Sequence, residues 1–297
     1  MSTTLRRAQL KILKSTGFKY FKAKSNFKIP YLVCLGDYLS ENPFFKPETN
    51  SEEIIACVAW CMNKNNPVIF DIGAHCGYFS THFAGLLKKD NPAIYAFEPV
   101  AETYFDLLLT IKKLQLENNV FPMQAAISNA EDVVAMNHSR WSSMLSQVVT
   151  DHKRRSITNE NKNFSLATTV DKITNTLNVF PDLIKLDVEG YESYVLQGAG
   201  AALQQTNKPA ICIEWNAGTL KQCASSEHEL ASLLTGYDLY YLNDYEFGKK
   251  KFLEKINDAT AITWVCNLFA VPKGSVQIDQ WLRNIKTLQQ QYNISIA

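Results

Sequence analysis

The amino-acid sequence predicts an α/β protein built on a doubly wound, seven-stranded and mostly parallel sheet. Short apolar runs without polar alternation recur along the chain, and such runs are typical of strands buried on both faces. Amphipathic helical segments follow most of the runs, which indicates βαβ units with parallel strands. The last two runs form a closing hairpin, with one antiparallel strand at the edge of the sheet. The predicted strands are 67–72, 93–97, 120–127, 183–187, 210–214, 237–242 and 264–271.

The helices are predicted from apolar positions at helical spacing and from residues that start or stop helices. In the segment 78–89, apolar residues recur three and four positions apart until the helix-breaking pair Asn91-Pro92. Ser51 precedes two acids, and a serine cap with acids in the first turn is typical of a helix start. Residues 43–50 are expected to be a loop. The predicted helices are 51–61, 78–89, 101–116, 191–203, 227–234 and 277–291.

The chain divides into an extension, one main domain and a terminal helix, and its charge is uneven. The first 36 residues contain eight Lys and Arg and no acid, so the remainder carries a net charge of −7 (+1 minus +8). A basic arm of this kind could contact nucleic acid, anionic lipid or an acidic partner, or be a solvated extension packed only in part on the domain. The predicted parts are a basic N-terminal extension (1–50), a domain (51–275) with an insertion that forms a hairpin or lid between the third and fourth strands (129–165), and a C-terminal helix (276–297).

The composition argues against several classes of protein. No run of 18 apolar residues is present, so we expect no transmembrane helix, and the N-terminus lacks the apolar stretch of a secretory signal. The seven cysteines include no C-x-x-C pair, and their odd number favours reduced thiols over a disulfide framework. These features predict a cytoplasmic protein, although the first 36 residues also have the acid-poor composition of a transit peptide.

The strongest ligand-binding signal is the segment 70–79, which reads Phe-Asp-Ile-Gly-Ala-His-Cys-Gly-Tyr-Phe between a predicted strand and a helix. Gly73 and Gly77 let the backbone turn and approach a ligand without a Cβ in the way. The pattern is not the G-x-G-x-x-G of dinucleotide sites, and Asp71 would repel a pyrophosphate but accept hydrogen bonds from an ammonium group. Glu98 ends the next strand, where an acid typically binds ribose hydroxyls. An amino-acid end and a ribose together describe S-adenosylmethionine; the alternative is a pair of helix-packing glycines beside an incidental acid.

A second motif, residues 184–192, again ends a buried strand at an acid followed by glycine. Asp187 and Glu189 are two positions apart, so in an extended stretch their side chains point the same way. Such a pair could orient a nucleophilic hydroxyl, remove its proton or hold a divalent cation. Alternatively, Glu189 and Glu192 only cap the following helix. Glu214 ends the fifth strand and either faces the substrate, where it could join Asp187 as a metal ligand, or is a solvent or capping acid.

Four segments, taken in order, resemble the successive signatures of the FkbM family of methyltransferases. They are 71–79, 96–99, 125–128 and 184–190, and the further segments 168–171 and 270–273 extend the similarity to roughly residues 51–273. The resemblance implies a Rossmann-like class I methyltransferase that uses S-adenosylmethionine. Members are usually O-methyltransferases that act on a hydroxyl of a sugar or of another small or natural-product acceptor.

The resemblance also implies roles for individual residues. Asp187 would be the general base at the site of methyl transfer, with Glu189 orienting the acceptor. His75 stands where the family usually has Asn, which favours a cofactor contact or a loop position for this imidazole over a role as catalytic base. The residues expected to bind the cofactor are Asp71, Gly73, His75, Gly77, Glu98 and Ala126.

Other functions remain as alternatives. The basic arm and the cluster 153–155 could serve a nucleic-acid methyltransferase, although a small carbohydrate acceptor is the expected partner. A non-catalytic scaffold with a methyltransferase fold is disfavoured because Asp71, Glu98 and Asp187 are all present. A nicotinamide oxidoreductase is disfavoured because the dinucleotide motif is missing.

Overall fold

The computed structural model of the chain describes residues 3–137, 147–148, 162–244 and 252–294; the basic cluster 153–155 lies outside them. The helices are α1 (Thr3–Ser15), α2 (Tyr38–Phe45), α3 (Ser51–Cys61), α4 (Tyr78–Leu86), α5 (Ala101–Leu114), α6 (Val170–Leu177), α7 (Glu192–Gln197), α8 (Gly200–Gln204), α9 (Ala217–Gln222), α10 (Glu227–Leu233) and α11 (Ile278–Tyr292). The strands are β1 (Tyr20–Lys24), β2 (Pro30–Cys34), β3 (Val68–Ile72), β4 (Ala93–Phe97), β5 (Val120–Met123), β6 (Ala126–Ile127), β7 (Asp132–Asn137), β8 (Gln147–Val148), β9 (Lys162–Thr168), β10 (Leu183–Leu186), β11 (Ala210–Trp215), β12 (Tyr237–Asp244), β13 (Lys255–Ile256) and β14 (Cys266–Pro272).

The central sheet has the strand order β13-β12-β14-β11-β10-β3-β4-β5. Neighbouring strands from β11 to β5 pair in parallel, and each is followed by a helix or a crossover. The chain runs outward from β3 to β5, then returns to β10 on the other side of β3, so the strand order reverses between β3 and β10. This arrangement confirms the doubly wound α/β class. All seven predicted strands contribute to the sheet.

Two details of the predicted sheet are wrong. An eighth strand, the two-residue β13, pairs with β12. The antiparallel strand β14 lies inside the sheet, between β11 and β12, rather than at its edge. The interior position buries both faces of the apolar run Leu268-Phe269-Ala270-Val271, in which no residue is more than 1% exposed.

The third predicted strand, 120–127, is two strands in two sheets. β5 ends at Met123 in the central sheet, and β6 pairs with β9 in a second sheet of order β6-β9-β7-β8. The Ala125 amide donates to the Met123 carbonyl (3.1 Å) at the turn that separates them. Within the predicted insertion, β7 and β9 pair antiparallel, as expected for a hairpin.

The predicted helices lie within a few residues of their expected ends, with one exception. The segment 191–203 forms two short helices, α7 and α8, with Gly198 between them. A Cβ on Gly198 would lie 2.0 Å from the Ser128 carbonyl oxygen, so this close approach requires glycine where α7 ends. The sequence did not predict α6 and α9. Across the described residues, no helix combines the length and the apolar character that crossing a membrane requires.

Two apolar cores cover the two faces of the central sheet. On the face of α3 and α11, Trp281 stacks on Phe269 with ring centroids 4.7 Å apart, and its Nε1 donates to the Ala56 carbonyl (2.9 Å). On the other face, the buried Trp215 donates from Nε1 to the Ile262 carbonyl (3.2 Å). Because a buried indole N–H needs a partner, these bonds fix Trp281 of α11 to α3 and fix Trp215, at the end of β11, to the segment before β14.

Residues 3–50 form a packed layer rather than a solvated arm. α1, the β1–β2 hairpin and α2 enclose a small core that includes Leu10, Tyr31 and Phe44. Tyr31 packs edge-on against Tyr78 of α4, with ring centroids 5.1 Å apart. The loop predicted over 43–50 is wrong for its first three residues, which belong to α2. The extension therefore packs against the segment that follows β3.

Candidate active site

A cavity of about 500 Å³ lies at the carboxyl ends of β3, β4, β10 and β11. It sits where the strand order reverses, which is the position at which doubly wound sheets bind ligands. The volume falls within the range of small-molecule sites. Besides the strand ends, the second sheet lines the cavity through Met136, and the N-terminal layer lines it through Tyr38, Leu39, Asn42 and Pro43.

The structure brings most of the predicted site residues together. Two of the nine, Asp71 and Gly77, do not line the cavity. Gly77 is the N-cap of α4 at φ +86°, where a Cβ would lie 2.7 Å from Cδ1 of Leu107, so its glycine serves backbone geometry and helix packing. The residues that line the cavity are Gly73, His75, Glu98, Ala126, Asp187, Glu189 and Glu214.

The turn after β3 is held by backbone hydrogen bonds. The amides of Gly73 and Ala74 both donate to the Phe97 carbonyl (3.0 and 2.9 Å), and the His75 amide donates to Oε2 of Glu98 (3.0 Å). Gly73 and His75 both have positive φ, +83° and +51°. A Cβ on Gly73 would lie 1.9 Å from the carbonyl oxygen of Asp187, so the turns after β3 and β10 touch through this glycine.

Glu98 is buried at the end of β4 with both carboxylate oxygens facing backbone donors. Oε1 accepts from the Val100 amide (3.0 Å) and Oε2 from the His75 amide. Burial raises the pKa of Glu98 to about 7, although His75 and the two amides oppose this increase. Each carboxylate oxygen has a second lone pair, so Glu98 could also accept hydrogen bonds from ligand hydroxyls.

Asp71 is fully buried behind the cavity wall. Its Oδ2 accepts a hydrogen bond from Oγ of Ser80 (2.6 Å), while its Oδ1 has no hydrogen-bond partner among the described residues. Burial raises the pKa of Asp71, and the charge of Lys185 opposes the increase. This position suits an indirect contribution through Lys185 and α4, and the predicted role of Asp71 in cofactor binding stays a prediction.

Lys185 is a buried cation that the sequence analysis missed. It stands opposite Asp71 in the β10–β3 pairing, and its Nζ lies 2.7 Å from Oδ2 of Asp187 and 4.3 Å from the ring centroid of Phe79. Burial alone would lower the pKa of the ammonium group, but Asp187 and Asp71 raise it above its usual value. Lys185 therefore stays charged at neutral pH. The signal in the sequence was a lysine inside the otherwise apolar run 183–186.

Three carboxylates, Asp187, Glu189 and Glu214, line the cavity and influence one another. Burial, with added repulsion from Asp187 and Glu192, raises the pKa of Glu189 to about 8. Burial and the charges of Asp187 and Glu189 also raise the pKa of Glu214 well above its usual range. Oε2 of Glu214 is buried without a hydrogen-bond partner in the described residues. Because their pKa values are raised, Glu189 and Glu214 can hold a proton near neutral pH, and all three side chains can accept hydrogen bonds from a ligand.

The capping alternative for the second motif applies to one of its two glutamates. Oε1 of Glu192 accepts from the amides of Val188 (3.3 Å) and Gly190 (3.2 Å), so Glu192 closes the turn before α7. Glu189 instead has a positive φ of +54° and lines the cavity. Its backbone conformation turns Glu189 away from the capping position and leaves its carboxylate to the site.

The cavity shows no arrangement of metal ligands. In the part of the chain that the structure describes, no group of three or more His, Cys, Asp or Glu side chains could hold a metal ion. Asp187 and Glu214 were suggested as a metal-binding pair. Asp187 is instead paired with the ammonium group of Lys185, so the protein supplies a positive charge next to this carboxylate.

The N-terminal layer contacts the turn after β3 through Asp37. Oδ2 of Asp37 lies 2.9 Å from Nε2 of His75. Burial alone would lower the pKa of His75, but Cys76 and Asp37 raise it above its usual value, which favours an imidazolium paired with Asp37. Oδ1 of Asp37 accepts from the Leu39 amide (3.0 Å) as the N-cap of α2. Sequence analysis missed this pair because 38 residues separate its members.

We expect the variant Glu189→Gln to lose less stability than the unaltered protein as the pH rises. Because the pKa of Glu189 is raised in the folded state, its contribution to the free energy of unfolding is fully present below the unfolded pKa of 4.5. This contribution is lost as the pH rises toward the folded pKa of about 8. The neutral amide does not titrate. Between pH 5 and 8 the free energy of unfolding of Glu189→Gln should therefore fall by ~2 kcal/mol less than that of the unaltered protein.

Urea unfolding at several pH values measures this difference. The matched control is Glu117→Gln, which alters an exposed glutamate outside the cavity and should leave the pH profile unchanged. Parallel profiles for the unaltered protein and Glu189→Gln would show that Glu189 has an ordinary pKa.

Comparison with known families shows the family to which the domain that contains the cavity belongs. The family model described as the Methyltransferase FkbM domain matches residues 71–241, more than half of the chain. The matched part begins in β3 and ends in β12, so it contains every strand end that lines the cavity. No curated protein matches the chain.

Several solved structures resemble the chain at low sequence identity. An FkbM methyltransferase from Methylobacillus flagellatus KT is 14% identical, with a TM-score of 0.42, over 77% of this chain and 52% of that one, so the match spans about half of its length. Fibrillarin from Aeropyrum pernix, with S-adenosyl-L-methionine natively bound, is 13% identical over 74% of both chains (TM-score 0.38). A SAM-dependent O-methyltransferase from Thermotoga maritima is 11% identical over 83% of this chain and 75% of that one (TM-score 0.40). These scores are too low to carry a functional conclusion.

Proposed function

The chain belongs to the FkbM methyltransferase family, and from this membership we propose that it transfers a methyl group from S-adenosylmethionine to a hydroxyl of a small acceptor, with carbohydrates as the first acceptor class. The observation that carries the choice of a hydroxyl is the set of carboxylates Asp187, Glu189 and Glu214 around one cavity. Because the pKa values of Glu189 and Glu214 are raised, these two side chains can donate as well as accept hydrogen bonds near neutral pH. The hydroxyl groups of a sugar also do both, so they match this set of side chains.

The cavity suits S-adenosylmethionine in shape and chemistry. When bound, this cofactor supplies an electrophilic methyl group on a sulfonium whose departure as a neutral thioether is favourable. Gly73 keeps the turn after β3 free of a side chain, and Glu98 has lone pairs for the ribose hydroxyls. Phe97, Pro99 and Ile127 give the cavity an apolar wall for a purine ring. The nearby carboxylates also favour a positively charged ligand.

Asp187 is the carboxylate best placed to handle the proton of the acceptor. Its side chain is 41% accessible, while Lys185 holds its Oδ2 in one orientation. As the acceptor oxygen forms its bond to the methyl carbon, the hydroxyl proton passes to the free oxygen of Asp187. Much of the rate comes from positioning, because the leaving group is good and the acceptor must lie in line. Glu189 and Glu214, with raised pKa values, hold the remaining hydroxyls.

The same carboxylates favour an uncharged acceptor over a phosphorylated one. Among the described residues that line the cavity at the ends of β10 and β11, Lys185 is the one cation, and it is already paired with Asp187. A phosphate placed beside Asp187 would meet a like charge in a partly buried site, which is costly, and it would further oppose the ionisation of Glu189 and Glu214, whose pKa values are already raised. Neutral sugars and amino sugars fit this charge pattern, and the nucleic-acid alternative has no support from the described cavity.

Calorimetric titration with S-adenosylmethionine, its demethylated product and NAD tests the cofactor directly. We expect binding of the first two and none of NAD. Absence of binding by the methyl donor would overturn the proposal. Radiolabel transfer to neutral monosaccharides, amino sugars and sugar phosphates then tests the acceptor, with transfer to the first two classes expected. Transfer to phosphorylated sugars alone would contradict the preference against phosphorylated acceptors that the charges of the site imply.

We expect Glu98→Ala to weaken the binding of S-adenosylmethionine roughly 10- to 100-fold, because hydrogen bonds to a charged acceptor contribute ~1.5–3 kcal/mol. The substitution also removes the acceptor that holds the His75 amide. The Kd from calorimetry measures the loss. Glu117→Ala, a truncation of an exposed glutamate outside the cavity, serves as the control and should keep the original Kd. An unchanged Kd for Glu98→Ala would remove Glu98 from the cofactor site.

A further inference from the structure

We propose that the outer face of α1, together with Phe18, docks on an anionic lipid bilayer. The α1 outer face consists of Leu5, Ala8 and Ile12, which repeat at three and four residues and so form one stripe along the helix. Lys11 lies three residues after Ala8 and so flanks the stripe, while Arg7 lies one turn earlier and further round the helix, toward the side that carries Leu10. This inference concerns the N-terminal layer and does not depend on the reaction in the cavity.

The opposite side of α1 fixes which residues face outward. Leu10 is buried in the small N-terminal core, where it packs with Phe44. Arg6 donates from Nη1 to the Phe44 carbonyl, and Nζ of Lys14 lies 2.7 Å from a carboxylate oxygen of Glu41. These three contacts attach one side of α1 to α2. The stripe on the other side is therefore directed away from the protein.

Large apolar side chains are exposed on α1 and in the turn that follows it. Leu5 is 56% exposed, Ile12 63%, and Phe18, just after the helix, 60%. Burying such side chains in an apolar medium is favourable by the ordinary hydrophobic effect. A short helix with an apolar stripe beside basic residues is the pattern of helices that lie in the interface of a membrane.

Charge selects the kind of surface. Residues 1–36 contain eight basic residues and no acid, so this segment is strongly positive while the remainder of the chain is negative. Among the described residues, no carboxylate is within ion-pair distance of Arg7, Lys11 or Lys19. Each basic residue close to an anionic membrane surface strengthens binding by about fivefold. Anionic headgroups therefore complement the surface that carries the apolar stripe.

A bilayer accounts for both features, whereas nucleic acid accounts for one. The phosphates of RNA or DNA would pair with the basic residues but would leave Leu5 and Ile12 in water. A membrane interface accepts both the apolar side chains and the cations. Because α2 supports α1 and also lines the cavity through Tyr38 and Asn42, docking would place a cavity wall next to the lipid surface.

Co-sedimentation of the full chain with vesicles tests the proposal. We expect binding to vesicles of phosphatidylcholine with about one third phosphatidylglycerol, at least tenfold weaker binding to pure phosphatidylcholine, and weakening at about 0.5 M NaCl. The double variant Ile12→Asp/Phe18→Asp should lose at least tenfold in binding. Val276→Asp, at a position 95% exposed outside the N-terminal layer, should lose little. The charge-reversal variant Arg7→Glu/Lys11→Glu should also lose at least tenfold in binding. Its control, Lys88→Glu/Lys89→Glu, reverses two exposed lysines outside the N-terminal layer and should lose little.

Thermal unfolding of each variant shows whether it remains folded, and the substituted side chains are exposed, so folding should persist. Absence of vesicle binding by the unaltered protein would overturn the proposal, as would equal losses in the α1 variants and their controls. Salt-sensitive binding to RNA without binding to vesicles would assign the basic layer to nucleic acid instead.

Discussion

Replacement of Gly73 by alanine is expected to destabilise the fold by several kcal/mol and to abolish cofactor binding. The new Cβ would lie 1.9 Å from the carbonyl oxygen of Asp187 and 2.9 Å from its carbonyl carbon, and both are backbone atoms. They cannot move aside easily, because β3 and β10 are paired in parallel up to Ile72 and Leu186. Overpacking costs ~1–3 kcal/mol or more, and the φ of +83° adds ~1 kcal/mol for a residue with a Cβ.

The matched control for this substitution is Gly274→Ala. Gly274 has a similar φ of +73°, but a Cβ there would have no heavy atom within 4 Å. Its loss of stability therefore measures the backbone conformation alone. Urea unfolding gives the free energy of unfolding for both variants, and calorimetry gives their Kd for S-adenosylmethionine. Equal losses of stability would mean that the turns after β3 and β10 can separate at no cost.

Asp187→Asn is expected to lower the rate of methyl transfer ~100-fold or more while the Kd for S-adenosylmethionine changes less than about threefold. The amide keeps the size of the carboxylate but takes up no proton at neutral pH. Asp71 remains opposite Lys185 and still offsets its charge, so the fold should survive. Single-turnover rates with a labelled methyl donor, beside calorimetric Kd values, separate the two effects.

Glu189→Gln and Glu214→Gln provide the comparison for Asp187→Asn. All three positions line the cavity. Each substitution replaces one carboxylate with an amide of nearly the same size. We expect the two glutamine variants to raise the KM for the acceptor more than they lower the rate of transfer. If Glu214→Gln abolished turnover and Asp187→Asn did not, the proton acceptor would be Glu214, whose Oε2 is buried without a partner among the described residues.

Several features could be predicted from the sequence because they depend on neighbours in the chain. An apolar run that ends in a glycine turn and a helix specifies a strand, a turn and a helix locally, so the α/β class and the segments around Gly73 and Asp187 were identified. Parallel strands place their carboxyl ends at one edge of the sheet. For that reason Glu98, Asp187 and Glu214 could be assigned to one site before their distances were known, and the structure brings them to one cavity.

Other features depend on contacts between distant parts of the chain, and only the tertiary structure decided them. The β10–β3 pairing puts Lys185 opposite Asp71 and buries Asp71 behind the wall, although the sequence suggested a direct ligand contact. The fold of the first 50 residues brings Asp37 to His75. An apolar run shows that a strand is buried but does not specify which strands pair with it. An antiparallel strand was therefore expected only at the edge, whereas the antiparallel β14 lies inside the sheet. Local sequence determined the elements and the acids at their ends, and packing determined which charges meet.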